Sequence, residues 1–427
     1  MEEPGRGLLL AAPSSGSGKT VITLGLLRAF KRRGVPIRGA KSGPDYIDPR
    51  FHEAASGVPC MNLDAWAMPE AQIKRLASGP GTLLIEGAMG LFDGAPPDGR
   101  GAAADLAAML SLPVVLIVDA RSMSQSIAPL VAGFARHDPR VRVAGVILNK
   151  VGSPRHEKML RRALKPLDIP VLGAIPRHAP VDLPSRHLGL VQAEEQSSLA
   201  DFLDIAADLM SNHVDLNALL NLTEPLPSTD NVTPARPPAR TIAIAHDRAF
   251  AFRYPHMLQD WRAAGATLRF FSPLANAAAP DADLIYLPGG YPELHAGTLA
   301  AADNFLGSLR NAARNGTEIY GECGGYMVLG DGLIDADGKP HAMAGLLRLE
   351  TSFANRKLHL GYRALEGQAG PFTGPWAGHE FHYATTVKAQ GEPLFFARDA
   401  EGDRLPPMGL RQGSVSGSFA HVIARAQ

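Results

Sequence analysis

At 427 residues, the chain is too long for one ordinary core and suits two domains of about 200 residues each. Lys+Arg and Asp+Glu both number 42, a formal net charge of zero, so no global field favours nucleic acid or an anionic membrane, and anion binding must come from local sites. Hydrophobic residues at 45% and charged residues at 20% fit a soluble globular protein, and two cysteines, Cys60 and Cys323, argue against a disulfide scaffold and for a reducing, cytoplasmic setting.

The start, Met1–Ala12, has two early acids and a short apolar run, not the basic start and cleavage site of a secretory signal. No apolar stretch approaches the roughly 18 residues of a membrane span. Gly7–Ala12 ends in a Gly/Ser loop, and Val21–Phe30 then carries apolar residues at helical spacing. Leu83–Glu86, Pro113–Asp119 and Val141–Leu148 are short aliphatic runs, with helical patterns at Ala102–Leu110 and His156–Leu164. Continuously apolar strands separated by helices predict a parallel sheet buried on both faces. Asn221–Arg240, rich in Pro, Thr and Asn, has no periodicity and reads as a linker. A second α/β pattern follows, with strands at Thr241–Ala245, Thr267–Phe271, Leu284–Leu287 and Glu318–Tyr320 and a helix over Tyr254–Ala264. The expected division is 1–225 for an ATP-binding domain, 226–240 for the linker and 241–427 for the second domain.

Ala11–Thr20 reads AAPSSGSGKT between a strand and a helix, the context a phosphate loop requires. Ser15, Gly16, Ser17 and Gly18 form the stretch that would wrap the phosphates, and the helix directs its free N–H groups at the same place. Lys19 would reach the β- and γ-phosphates and the Thr20 hydroxyl would bind Mg²⁺. Pro13 stands where the standard pattern has Gly. The bland alternative, a Gly/Ser turn with an exposed lysine, leaves the coincidence of strand, GKT and helix unexplained. Glu86 ends a strand, where ligands bind in open α/β sheets, and Lys41–His52 (KSGPDYIDPRFH) brings Asp45 and Asp48 to the same edge to hold metal or orient a substrate. Loop acids of this kind also cap turns. Asn149-Lys150-Val151-Gly152 lacks the Asp that would read guanine, so ATP is expected, with Asn149 as a base contact.

Glu318–Gly330 reads EIYGECGGYMVLG. A strand enters, Cys323 sits between Gly321 and Gly324–Gly325, and a helical run leaves: the architecture of a nucleophile elbow. The helix N-terminus would favour thiolate. The Gly324 N–H would donate to an oxyanion, with a second donor from Gly289–Gly290 in LPGGYPELH. His421 in GSFAHVI is the first candidate base, with His379 and His382 in GHEFHY as competitors. Outside such a glycine frame a buried cysteine is a small hydrophobe, which is how Cys60 reads.

The motifs KSGPDYIDPRFH, EGAMGLFDG, LPGGYPELH, GECGGYM, GHEFHY and SFAHVI together resemble the cobyrinate/hydrogenobyrinate a,c-diamide synthases of cobalamin biosynthesis, over both halves and in their order. The first half resembles the dethiobiotin-synthetase branch of phosphate-loop proteins and the second a class I glutamine amidotransferase. The resemblance implies ATP- and glutamine-dependent amidation of the a- and c-acetate side chains of a corrin through an acyl phosphate. Cys323 and His421 would form the glutaminase pair, and ammonia would pass inward to the ATP domain. Class I domains usually place a Glu two residues after that His; here Ile423 stands there. Lys41, Asp45, Tyr46 and Ile47 match the substrate loop, Thr20, Asp48 and Glu86 the magnesium set, and Asp93 a position for orienting the acyl phosphate or ammonia. Substrates would be the corrin, L-glutamine and ATP, without nucleic acid or membrane, and a homodimer is a candidate assembly. One rival is the same chemistry on another tetrapyrrole, such as a nickel-bearing sirohydrochlorin. Another, of a different class, is a partition-type regulatory ATPase carrying an inert glutaminase-like module.

Overall fold

The computed structural model describes residues 5–177, 185–186, 189–190, 198–228 and 233–426, with 185–186 and 189–190 as backbone only. The chain divides into two compact units, Met1–Val232 and Thr233–Gln427. Positions 229–232 of the expected linker lie outside the described residues. No helix among the described residues is long and apolar enough to cross a membrane.

In the first unit, strands β1 (Arg6–Ala11), β2 (Ile37–Ser42), β3 (Met61–Leu63), β4 (Thr82–Glu86), β5 (Val114–Asp119), β6 (Val143–Val151) and β7 (Val171–Pro176) run in the order β3-β2-β4-β1-β5-β6-β7. All of these neighbours pair in parallel. Leu8, Leu9 and Leu10 are fully buried, as a strand covered on both faces requires. The order reverses around β1, and the loops after β1, β2 and β4 open on the same edge, where open α/β sheets bind ligands. Helix α1 (Lys19–Arg32) starts at Gly18 with no side-chain cap, so its first N–H groups remain available to an anion. Helix α2 (Asp48–Ser56) begins inside the stretch read as a loop. Its start is set by Asp45, whose Oδ1 accepts from the N–H groups of Ile47 (2.8 Å) and Asp48 (3.1 Å).

The second unit has a six-stranded sheet in the order Thr267–Phe271, Thr241–Ala245, Leu284–Leu287, Glu318–Glu322, Val415–Ser418, Leu410–Gln412. The first five are parallel and the last is antiparallel. Two further four-stranded sheets follow Glu318–Glu322 in the chain, one of them formed by Phe395–Arg398, His359–Gly367, Gly374–His382 and Ala420–Arg425. The strand pattern anticipates the parallel half. Among the later antiparallel strands, Thr385–Gln390, with its largely exposed residues, buries too little on one face to show a clear alternation.

Candidate functional site

The phosphate loop has the backbone its glycines allow: Gly16 and Gly18 both have positive φ, 79° and 92°. Asn149 braces this loop from the end of β6. Its Nδ2 donates to the Ser17 carbonyl at 2.8 Å, and its Oδ1 accepts from the Lys150 N–H at 2.9 Å. Asn149 thus supports the loop that would wrap the phosphates. A Cβ at Gly18 would lie 2.3 Å from that Nδ2, so glycine is needed for the close approach as well as for φ. Lys150 also donates to the Gly16 carbonyl (3.1 Å) and pairs with Asp119 (3.0 Å), a contact that the sequence pattern did not single out. Ser17 is buried, whereas Ser15 is exposed. The Lys19 ammonium donates to the carbonyls of Met89 and Ser14. Burial lowers its pKa, against the pull of Glu86.

Glu86 is the centre of a buried network. Its Oε1 accepts from the Thr20 hydroxyl (2.7 Å) and the Lys41 ammonium (2.8 Å), and its Oε2 lies 2.7 Å from His52 Nε2. Lys41 also reaches Asp48 Oδ2 at 2.5 Å. Burial opposes ionisation of Glu86, but Lys41 and His52 outweigh it and hold the carboxyl well below its usual range. Burial and the neighbouring Asp45 push Asp48 the other way, to about 7. His52 was not anticipated, although it closes the quoted stretch; a histidine beside an acid has no periodic signature. Its ring also rests against the Cys60 sulfur, 3.5 Å from Nδ1. Thr20, Asp48 and Glu86 offer oxygen donors, the type that Mg²⁺ takes, so the residues fit the metal. Tyr46 and Ile47 are buried, and Asp45 Oδ1 accepts from the Ile47 and Asp48 N–H groups in the turn that leads into α2. Asp93 is exposed beside this site, with its Oδ2 accepting from the Gly90 N–H at 2.9 Å.

Cys323 has φ 46° and ψ −104° at the head of the helix Gly324–Leu329. Such a conformation costs a non-glycine residue about 1–3 kcal/mol and is kept where the surroundings over-determine it. Here the Cys323 N–H donates to the Ser418 carbonyl (2.8 Å), tying the elbow to the neighbouring strand. The oxyanion candidates converge: a Cβ on Gly324 would lie 3.0 Å from the Gly290 nitrogen. Gly289 faces both His421 and Cys323. A Cβ there would sit 2.4 Å from His421 Cε1 and 3.3 Å from the Cys323 Cβ. Gly289→Ala is therefore expected to displace the imidazole and cut glutamine hydrolysis by about 10²-fold, read as glutamate release.

The thiol differs from expectation. Burial and the nearby Glu293 carboxylate push its pKa up, and the donated Gly324 N–H only partly opposes them. A six-residue helix supplies too little field to reverse this. Burial and Glu293 both favour the neutral thiol at Cys323. Alkylation of Cys323 in the substrate-free protein should therefore be slow at pH 7, stay slow through the ordinary thiol range and rise only above it, because the thiolate is the reactive form. Mass spectrometry of iodoacetamide-treated protein checks this; rapid labelling at pH 7 would contradict it.

Of the competing histidines, His379 lies opposite His421 in the strand pair Gly374–His382 and Ala420–Arg425. Burial and His421 lower its pKa to about 3, leaving it neutral. His382 lies 3.0 Å from Glu380 and stacks on Phe419 at 3.9 Å. Ile423, where a triad acid would stand, is buried, and its carbonyl takes His256 Nε2 at 3.0 Å.

Residues 241–427 match the family described as CobB/CobQ-like glutamine amidotransferase domain, and residues 8–191 match the family described as CobQ/CobB/MinD/ParA nucleotide binding domain. The chain is 57% identical to hydrogenobyrinate a,c-diamide synthase of Brucella anthropi, over 98% of each chain. It is 54% identical to the Rhizobium meliloti protein of that name, over 98% of this chain and 99% of the relative. The Rhodobacter capsulatus protein of the same name is 52% identical, over 99% of this chain and 100% of the relative.

Proposed function

The chain belongs to the hydrogenobyrinate a,c-diamide synthase family of glutamine-hydrolysing ligases, and from that premise we propose that it amidates the a- and c-acetate groups of hydrogenobyrinate by way of an acyl phosphate. The observation that carries this reading is the presence in one chain of two chemistries that need each other. A phosphate loop stands over a buried Lys41–Glu86–His52 network, and a cysteine elbow shares the Gly289 space with His421.

A carboxylate resists ammonia because it is anionic and its oxygen leaves poorly. In the proposed sequence its oxygen attacks the γ-phosphorus of ATP and ADP leaves. Ammonia then attacks the acyl carbon, and phosphate carries away the former carboxylate oxygen. Lys19 and the first N–H groups of α1 bind phosphate oxygens, and Lys41 places a cation beside the reacting acid. Thr20, Asp48 and Glu86 would hold magnesium, which neutralises phosphate charge when bound. In the second unit the Cys323 sulfur attacks the glutamine amide carbon while His421 takes the thiol proton and returns it to the departing ammonia; water then cleaves the thioester. Passage of ammonia between the units would keep it from becoming ammonium in bulk water.

A substrate whose carboxylates carry heavy oxygen tests the acyl phosphate. The label should appear in released inorganic phosphate, once per amide formed; phosphate free of label would overturn the route. Asp93, exposed beside Lys19, is assigned to orient the acyl phosphate or the incoming ammonia. Asp93→Asn should slow amidation with either nitrogen source by about 10²-fold and leave glutamine hydrolysis near its normal rate. Unchanged amidation in that variant removes the role.

A further inference from the structure

Glu322 immediately precedes the nucleophile, at the end of the strand Glu318–Glu322, and its side chain is 1% exposed. Its carboxylate is fully engaged. Oε2 accepts from the Tyr286 hydroxyl at 2.7 Å, and Oε1 accepts from the Tyr320 hydroxyl at 3.3 Å and the Val422 N–H at 3.1 Å. Burial and the Glu322 charge hold both tyrosine pKa values well above the ordinary range, so both phenols stay protonated and keep donating. Oε2 also lies 3.6 Å from His421 Nδ1. The Val422 contact comes from the residue after His421, so the same carboxylate grips the backbone and faces the imidazole of one strand.

We propose that Glu322 is the positioning acid of the glutaminase centre, standing in from the nucleophile's own strand for the glutamate that Ile423 replaces after His421. The inference rests on the reading of Cys323 and His421 as the reacting pair. A carboxylate at Nδ1 does two things for such a pair. It favours the tautomer with the proton on Nδ1, which leaves Nε2 free to accept from the thiol. It also stabilises the imidazolium formed when that proton moves. Nε2 is the ring nitrogen that adjoins the Gly289 space shared with Cys323, 3.0 Å from the position of an added Cβ. The network of two phenols and one backbone N–H fixes where the charge sits. Because these donors hold the acid as well, the imidazolium gains a preorganised counter-charge without any movement at the moment of reaction.

The test is Glu322→Gln, near in shape but uncharged and with one accepting oxygen in place of two, so that it keeps the donors at one end of the carboxylate only, with Glu322→Asp as the conservative variant. For Glu322→Gln, kcat for glutamine hydrolysis should fall about 10²-fold with KM for glutamine unchanged. Ammonium-driven amidation should stay at the normal rate, and Glu322→Asp should recover part of the loss. Normal hydrolysis in Glu322→Gln overturns the proposal. So does a rise in KM at normal kcat, which would make Glu322 a substrate contact. Equal loss of ammonium-driven amidation would reduce it to a folding role and overturn the proposal too. His421→Asn in the same assay separates the two levels. If His421→Asn hydrolyses glutamine normally, the Cys–His reading fails; if His421→Asn is dead and Glu322→Gln is normal, only the positioning role fails.

Discussion

Cys323→Ala should lose glutamine-driven amidation by about 10³-fold or more while amidation driven by added ammonium survives. The thiol supplies the bond that lets one difficult displacement become two easier ones, and alanine offers nothing in its place. The ATP-dependent half of the reaction needs only ammonia, whatever its source. The residue is small and fully enclosed, so its truncation leaves a modest cavity and no stranded charge. A folded variant inactive with both nitrogen sources would place Cys323 among structural residues. A variant still using glutamine would remove it from the chemistry.

Glu86→Gln should act on folding and on catalysis together. The buried carboxylate is the shared acceptor for Thr20 and Lys41 and the partner of His52. Removing one member of a buried charge network costs about 3–5 kcal/mol, because the partners keep their charge without compensation. The sign with pH follows from the lowered pKa. The stability owed to Glu86 is complete above the usual carboxylate range and disappears as pH falls through its folded value, so the deficit of the glutamine variant should be largest near neutrality and shrink in acid. Thermal unfolding at several pH values measures this; a deficit that grows in acid would contradict it. The folded fraction should hydrolyse glutamine but form no amide from glutamine or ammonium.

Much of the molecule is legible in its sequence because two kinds of signal are local. The loop AAPSSGSGKT carries its geometry in Gly16 and Gly18, at φ values that other residues avoid, and the elbow GECGG in glycines whose neighbours leave no room for a Cβ. The buried parallel strands carry theirs in uninterrupted aliphatic runs such as Val114–Asp119. What the sequence hides is long-range and polar. Nothing local marks His52 as a partner of Glu86, 34 positions away, or Glu322 as a neighbour of His421, 99 positions away. The hold of the Asn149 amide on the Ser17 carbonyl, 132 positions away, has no local mark either. The helix dipole favours a thiolate at Cys323, whereas burial, which depends on the whole fold, pushes the thiol pKa up. Two residues after His421, where class I domains usually carry a Glu, the sequence has Ile423 and leaves the ring's neighbour open; the carboxylate that faces the ring belongs to Glu322, at the end of the strand before Cys323.

The most direct measurement gives the purified chain hydrogenobyrinate, ATP, magnesium and glutamine labelled with heavy nitrogen in its amide, in the presence of unlabelled ammonium. The expected product has two carboxylates converted to amides, both carrying the label, with one ADP and one glutamate released per amide. Unlabelled amides would show that ammonia made at Cys323 is not the nitrogen delivered, and glutamine hydrolysis without any amide would contradict the proposed substrate.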